Sequence, residues 1–195
     1  MSLKPKKIFG QHFLKNKHIC ARITNKIDLN QCQNILEIGP GEGALTNHLI
    51  TKNANLQLIE VDYDACLLLK KKFPKTKIIN QDFLKYDLTQ LNWKKYIVIG
   101  NFPYNISSQI LFRIINNLES ISEMVGMFQY EVAERISSAH GSKKYGILSV
   151  LIQAFFKVEI KMKLKPDSFF PPPKINSAII HLKKITNEID CDKQL

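Results

Sequence analysis

No run of apolar residues approaches the ~20 that a membrane-spanning helix needs, so a membrane-integral chain is not expected. The four cysteines, Cys20, Cys32, Cys66 and Cys191, lie far apart and form no C-x-x-C pair. That removes the zinc-finger and dithiol readings, and no metal site is expected. No repeat of 20–50 residues and no low-complexity linker interrupts the chain. The first 27 residues contain no acidic side chain at all. Behind Met1-Ser2-Leu3-Lys4 no apolar signal core follows, so a cytoplasmic protein with reduced thiols is expected. What remains is 195 residues with 45% hydrophobic content, enough for one cored catalytic domain.

The formal charge of +11 is unevenly placed. Residues 1–27 hold seven basic side chains, among them Lys4, Lys6, Lys7 and Lys15. Residues 28–142 are near neutral, with eleven basic and twelve acidic side chains, whereas residues 143–184 hold nine basic against two acidic. Two basic flanks around a neutral middle fit a polyanion, because phosphate binding releases counterions. A lysine-rich solvated face would look the same. If the N-terminal lysines touch RNA, replacing Lys4, Lys6 and Lys7 flattens the salt dependence of RNA binding.

Short β-rich runs alternate with helical patterns. Asn34–Ile38, Leu56–Val61, Lys77–Ile79 and Tyr96–Ile99 read as buried strands, with helices expected at Leu45–Lys52 and Tyr63–Lys72. Apolar spacings of three and four after Asn105, from Ile106 to Leu118, predict another helix. Met124–Phe128 and Ser177–Leu182 read as strands and Val132–Ser137 as a helix. Leu148–Phe156 is open between helix and strand, Pro171–Pro173 is loop, and a weakly ordered polar tail is expected from Lys183. Such β/α alternation predicts a parallel sheet covered on both faces.

Three of the eight glycines fall together, in Ile38-Gly39-Pro40-Gly41-Glu42-Gly43-Ala44. A strand entering a glycine turn and then a helix brings free backbone N–H groups close to a ligand. Glu60, at the end of the next strand and 21 residues beyond Gly39, can accept from ribose hydroxyls. The spacing also satisfies the dinucleotide fingerprint. Glu37 within the strand and Glu42 within the loop lean away from a pyrophosphate, which they would repel. They suit a phosphate-free cationic nucleoside such as S-adenosylmethionine. After the third strand, Asp82 can accept from an adenine amine and Phe83 can cover the ring, although an Asp there can equally cap a turn.

Asn101-Phe102-Pro103-Tyr104 closes the fourth strand, where doubly wound sheets place ligands. An adenine amine is a weak nucleophile because its lone pair is delocalised. Accepting its two N–H bonds, through the Asn101 oxygen and a backbone carbonyl near Phe102, favours a pyramidal nitrogen. Pro103 stiffens the turn and Tyr104 can stack on an extruded base. An ordinary turn would use the same residue types.

These motifs resemble the KsgA-type ribosomal RNA adenine dimethyltransferases over residues 6 to about 183. The resemblance rests on Lys7–Leu14, Leu36–Thr46, Asn101–Tyr104, Gln129–Arg135, Ser142–Val150 and Phe169–Ala178. It implies an α/β, Rossmann-like class I S-adenosylmethionine-dependent methyltransferase fold, a mostly parallel seven-stranded sheet with helices on both faces. It implies S-adenosylmethionine as cofactor, held by His12, Leu14, Gly39, Gly41, Glu60, Asp82, Phe83 and Asn101, and catalysis at Asn101, Phe102, Pro103 and Tyr104. His12 stands where the family often has Asn. The implied reaction is dimethylation of two adjacent adenosines near the 3′ end of small-subunit ribosomal RNA. The implied partner is the immature 30S particle, with the protein acting as a monomer. The implied layout is a basic segment 1–27 capping the cofactor site, a methyltransferase domain at 28–184, and a tail at 185–195 beginning a further helical domain. The related large-subunit resistance methyltransferases, a non-catalytic RNA-binding factor and a nicotinamide oxidoreductase are the competing readings.

Overall fold

In a computed structural model, which describes residues 3–185, the chain begins with a short helical turn at Lys7–Phe9, then β1 (Phe13–Leu14) and α1 (Lys17–Thr24). The α/β alternation follows: β2 (Asn34–Ile38), α2 (Thr46–Leu49), β3 (Asn55–Glu60), α3 (Tyr63–Lys72), β4 (Lys77–Asn80) and β5 (Tyr96–Asn101). The second half contains α4 (Ser107–Ile115), β6 (Ile121–Gln129), α5 (Tyr130–Ser137), α6 (Ile147–Gln153), β7 (Phe156–Leu164), β8 (Phe169–Phe170) and β9 (Ser177–Lys184).

Seven strands form one sheet in the order β4-β3-β2-β5-β6-β9-β7. The pairs from β4 through β6 are parallel, and β9 runs antiparallel between β6 and β7. The middle strands are buried on both sides, as their unbroken apolar runs require. Leu36, Val98, Met124 and Phe128 pack on α4, α5 and α6 on one face. Ile35, Ile97, Ile99 and Val125 pack on α1 and the Leu45–Leu49 region on the other. Strand order reverses at β2 and β5, which opens a crevice at their carboxyl ends. The register sets Ile38 beside both Ile59 and Gly100, so the glycine loop, Glu60 and Asn101 all emerge on one edge.

Several boundaries differ from the sequence reading. The helix expected over Leu45–Lys52 is only Thr46–Leu49, because the chain turns at Ile50–Thr51 and bends through Lys52, Asn53 and Ala54 before β3. Leu148–Phe156 divides into the body of α6 and the first residue of β7. β7, unassigned from the sequence, buries Phe156 and Leu164 at its ends, while a register irregularity at Ile160/Met162 leaves Ile160 exposed; its lysines suit an edge strand. β9 continues through Lys184, so Lys183 and Lys184 are strand residues rather than tail, held in register with Lys157 and Phe156. The rest of the expected tail, 186–195, lies outside the described residues.

α1 was also unassigned, and it changes the meaning of the basic N-terminus. Asn16 caps it by accepting from the backbone N–H groups of His18 and Ile19. Cys20 and Ile23 enter the core while the helix's charged side chains stay outside. Residues 17–24 are therefore part of the sheet's covering layer, and the segment lying over the crevice is shorter, 3–14. Ile23→Ala should cost about 2–5 kcal/mol in urea unfolding, the usual range for a large-to-small core change. A loss within about 0.5 kcal/mol, the scale of a surface substitution, would place α1 outside the core.

Candidate active site

A cleft of about 220 Å³ lies at the carboxyl edge of β2, β3 and β5. Its walls include Gly39, Gly41, Glu60, Asp82, Phe83, Asn101, Phe102, Pro103 and Tyr104, with Ile8 to Phe13 across one side. A smaller cavity of about 40 Å³ adjoins it, lined by Phe13, Leu14, Glu37, Glu42 and Asn101 among others. Of the residues expected at the site, Leu14 alone borders only this smaller cavity.

The glycine loop is built for close approach. Gly39 has φ of +64°, donates its N–H to the Ile59 carbonyl, and has no atom within 4 Å of where a Cβ would stand. Gly41, at φ +55°, lies under the Phe13 ring, which a Cβ would meet at 2.9 Å. Both conformations favour glycine. Glu60 is buried and its two oxygens are already used once each: Oε2 accepts from Gly41 N–H and Oε1 from Asp62 N–H, both at 3.0 Å. Each oxygen keeps a lone pair for a further donor. Asp82 caps the turn that follows β4 through Leu84 N–H at 2.9 Å while lining the cleft, so the turn and the site uses coexist. Phe83 stands between cleft and core.

Asn101 is the centre of the arrangement. Its Nδ2 donates to the His12 carbonyl at 2.7 Å, and its Oδ1 is buried with no partner among the described residues. A carbonyl can only accept, so this bond fixes which end of the amide is nitrogen. His12 Nδ1 meets the Pro171 carbonyl at 2.7 Å by the same logic, which places its proton on Nδ1 in the neutral ring. The Tyr104 hydroxyl pairs with Ser177 Oγ at 2.5 Å, and its ring lies 5.6 Å from that of His12. Burial pushes the Tyr104 phenol above its ordinary pKa, with the Ser177 bond opposing. Phe102 differs from the other three motif residues: its ring is fully buried and packs edge-on against Phe128 at 5.3 Å. Its side chain anchors the loop in the core, and only its backbone is available for the chemistry expected of it.

Two buried carboxyls lie beneath the loop. Glu37 accepts from the Thr46 hydroxyl at 2.7 Å. Burial raises its pKa to about 8, against the Thr46 bond and with help from the Glu60 charge. Burial also raises Glu60, opposed by the N–H groups of Asp62 and Gly41. Sequence reasoning left Thr46 aside, although a hydroxyl nine residues after a strand Glu, at the helix start, was there to be read.

Three further residues contribute in ways the sequence did not announce. Lys6 sits between Asp62 and Asp64 at 2.6 and 2.7 Å, so the lysine expected to face RNA is already paired. Gln11 donates to Asp62 at 3.0 Å. Arg113 on α4 donates to the carbonyls of Leu84 and Tyr86 and lies over the Phe83 ring, tying the turn after Asp82 to the helix that follows the Asn101 motif.

A doubly wound sheet with an acid-lined, glycine-floored cleft at its switch point is the architecture of the class I methyltransferases. Solved structures bear this out: a dimethyladenosine transferase from Plasmodium falciparum superposes with TM-score 0.79 at 30% identity, covering 89% of this chain and 64% of that one. The 23S rRNA methyltransferase ErmE superposes with TM-score 0.80 at 28% identity, covering 90% of this chain and 70% of that one. The ribosomal RNA small subunit methyltransferase A of Bacteroides thetaiotaomicron is 45% identical over 99% of this chain and 74% of its own length. Residues 2–195 match the family described as ribosomal RNA adenine dimethylase, and the chain belongs to that family.

The raised carboxyls set a pH dependence. A carboxyl whose folded pKa exceeds its unfolded value favours the folded state at low pH and loses that contribution as pH rises through the folded pKa. Between about pH 4.5, the unfolded value, and pH 8, the unfolded chain gives up the Glu37 proton while the folded chain keeps it, so stability falls. Without ligand, the melting temperature should fall across pH 5–8.5, and Glu37→Gln, which keeps the Thr46 bond, should flatten that fall. An identical fall in the variant would remove Glu37 from the effect.

Proposed function

We propose that this chain methylates the N6 amines of two adjacent adenosines near the 3′ end of small-subunit ribosomal RNA, with S-adenosylmethionine as donor. The observation that carries this reading is the buried Asn101 Oδ1 without a partner, in the wall of a cleft at the sheet's switch point. A buried acceptor left open is costly unless a ligand donor completes it.

The residues fit this donor. Glu42 and Glu60 place carboxyls at the glycine loop, which would repel a pyrophosphate and suit a cationic, phosphate-free nucleoside, while Glu37, its pKa raised to about 8, is mostly protonated near neutral pH and adds little charge. Glu60 would hold the ribose hydroxyls with its remaining lone pairs, Asp82 and Phe83 the adenine, and Gly39, Gly41, His12 and Leu14 the amino-acid end. When bound, S-adenosylmethionine supplies a methyl group on a sulfonium, so no strong base is needed.

The protein's own part is to prepare the amine. Asn101 Oδ1 accepts one N6–H, and a backbone carbonyl near Phe102 accepts the other. Both bonds favour a pyramidal nitrogen with its lone pair directed into the cleft. Pro103 offers no competing N–H, Phe102 fixes the loop from below, and the half-buried Tyr104 ring gives the extruded base a surface to stack on. Exposed Lys4, Lys7 and Lys15 supply phosphate contacts beside the cleft.

The test is methyl transfer onto small subunits lacking the modification, mapped by primer extension. Two adjacent stops near the 3′ end are expected. Asn101→Ala should slow transfer on the order of a hundredfold, the scale of a lost transition-state hydrogen bond, with a smaller loss of affinity for S-adenosylhomocysteine. Stops in large-subunit RNA would overturn the substrate, and wild-type rates in the variant would overturn the role of Asn101.

A further inference from the structure

Residues 3–14 form a strap across the cleft. On the cofactor side, Leu3 N–H bonds Glu42 at 2.6 Å, and Lys6 and Gln11 both bond Asp62. The Lys6 backbone N–H also bonds Gln11 Oε1 at 2.8 Å, closing a loop within the strap. On the catalytic side, a Cβ on Gly10 would lie 3.0 Å from Asn105 Oδ1 and 3.6 Å from Pro103, and the His12 carbonyl holds Asn101. β1 then pairs with β8.

Asp62 is where this strap is fastened. Its side chain is 1% exposed, and it lies two residues beyond Glu60, whose Oε1 it holds through its own N–H. Burial alone would raise its carboxyl pKa. The bonds from Lys6 and Gln11 outweigh burial and bring it below the ordinary value, so it stays charged. A buried carboxylate is stable only while it is compensated.

We propose that Lys6 is a positioning residue for the cofactor site rather than an RNA contact: clamped on Asp62 and Asp64, it holds the strap whose His12 carbonyl orients the Asn101 amide. This rests on the proposed cofactor. With the clamp open, the buried charge of Asp62 loses its main counterion. The strap then loses its attachment beside Glu60, while its Leu14 end stays anchored in the core beside Phe169.

The experiment measures two quantities on the full chain: the affinity and dissociation rate of S-adenosylhomocysteine, and the slope of RNA binding against salt. Lys6→Met should raise the Kd for S-adenosylhomocysteine about fivefold, the upper scale of a partly exposed ion pair, with faster dissociation. Its RNA salt slope should match wild type. Lys6→Arg should restore the affinity. The double variant Lys4→Met, Lys7→Met should do the reverse, lowering the salt slope by about 0.7–0.9 per lysine with the S-adenosylhomocysteine Kd intact. An unchanged Kd in Lys6→Met, or a salt slope lowered as in the double variant, would overturn the clamp. Failure of the wild type to bind S-adenosylhomocysteine would instead overturn the cofactor assignment.

Discussion

One hydrogen bond, from Asn101 Nδ2 to the His12 carbonyl at 2.7 Å, organises the catalytic edge of this protein. It joins residues 89 positions apart in sequence and decides which atom of the amide is left for a ligand. Everything nearby supports it from one side or the other. Phe102, buried against Phe128, sets the height of the Asn101 loop. The Pro171 carbonyl fixes the His12 ring, and the strap from Leu3 to Leu14 presents the His12 backbone. The amide is preorganised, so little reorganisation accompanies the arrival of an amine.

The hydrogen bonding of the glycine loop bears on the kind of ligand it can take. Glycine loops at the head of a doubly wound sheet often serve phosphates, using backbone N–H groups as donors. Here Gly41 N–H is occupied by Glu60, and Glu37 lies below the same loop. The loop's donors are thus partly spent on the protein's own carboxylates. With its N–H taken by Glu60, Gly41 has no donor left for a phosphate, unlike the glycine turns of the dinucleotide proteins whose spacing this loop shares.

Much of this was legible in the sequence because it depends on local order. The apolar runs at Asn34–Ile38 and Tyr96–Ile99, the clustered glycines, and Asn101–Tyr104 at a strand end each carry their own signal, and the β/α alternation arranges them along one edge. The four-residue α2 and the division of Leu148–Phe156 were not legible, since short apolar runs fit helix and strand alike. α1 was hidden because its eight residues mix Lys17, His18 and Arg22 with a short apolar set, and only Cys20, Ile23 and Thr24 are buried. The clamp of Lys6 on Asp62 was invisible for a different reason: it spans 56 positions and is made by the packing of the strap, which no periodicity encodes.

The most direct measurement is a crystal structure of the protein with S-adenosylhomocysteine and adenosine. Asn101 Oδ1 should lie within about 2.6–3.2 Å of the adenosine N6, hydrogen-bond reach for a catalytic contact, with Nδ2 still on the His12 carbonyl. An amine held elsewhere, or an Asn101 amide turned so that Nδ2 meets it, would contradict the account.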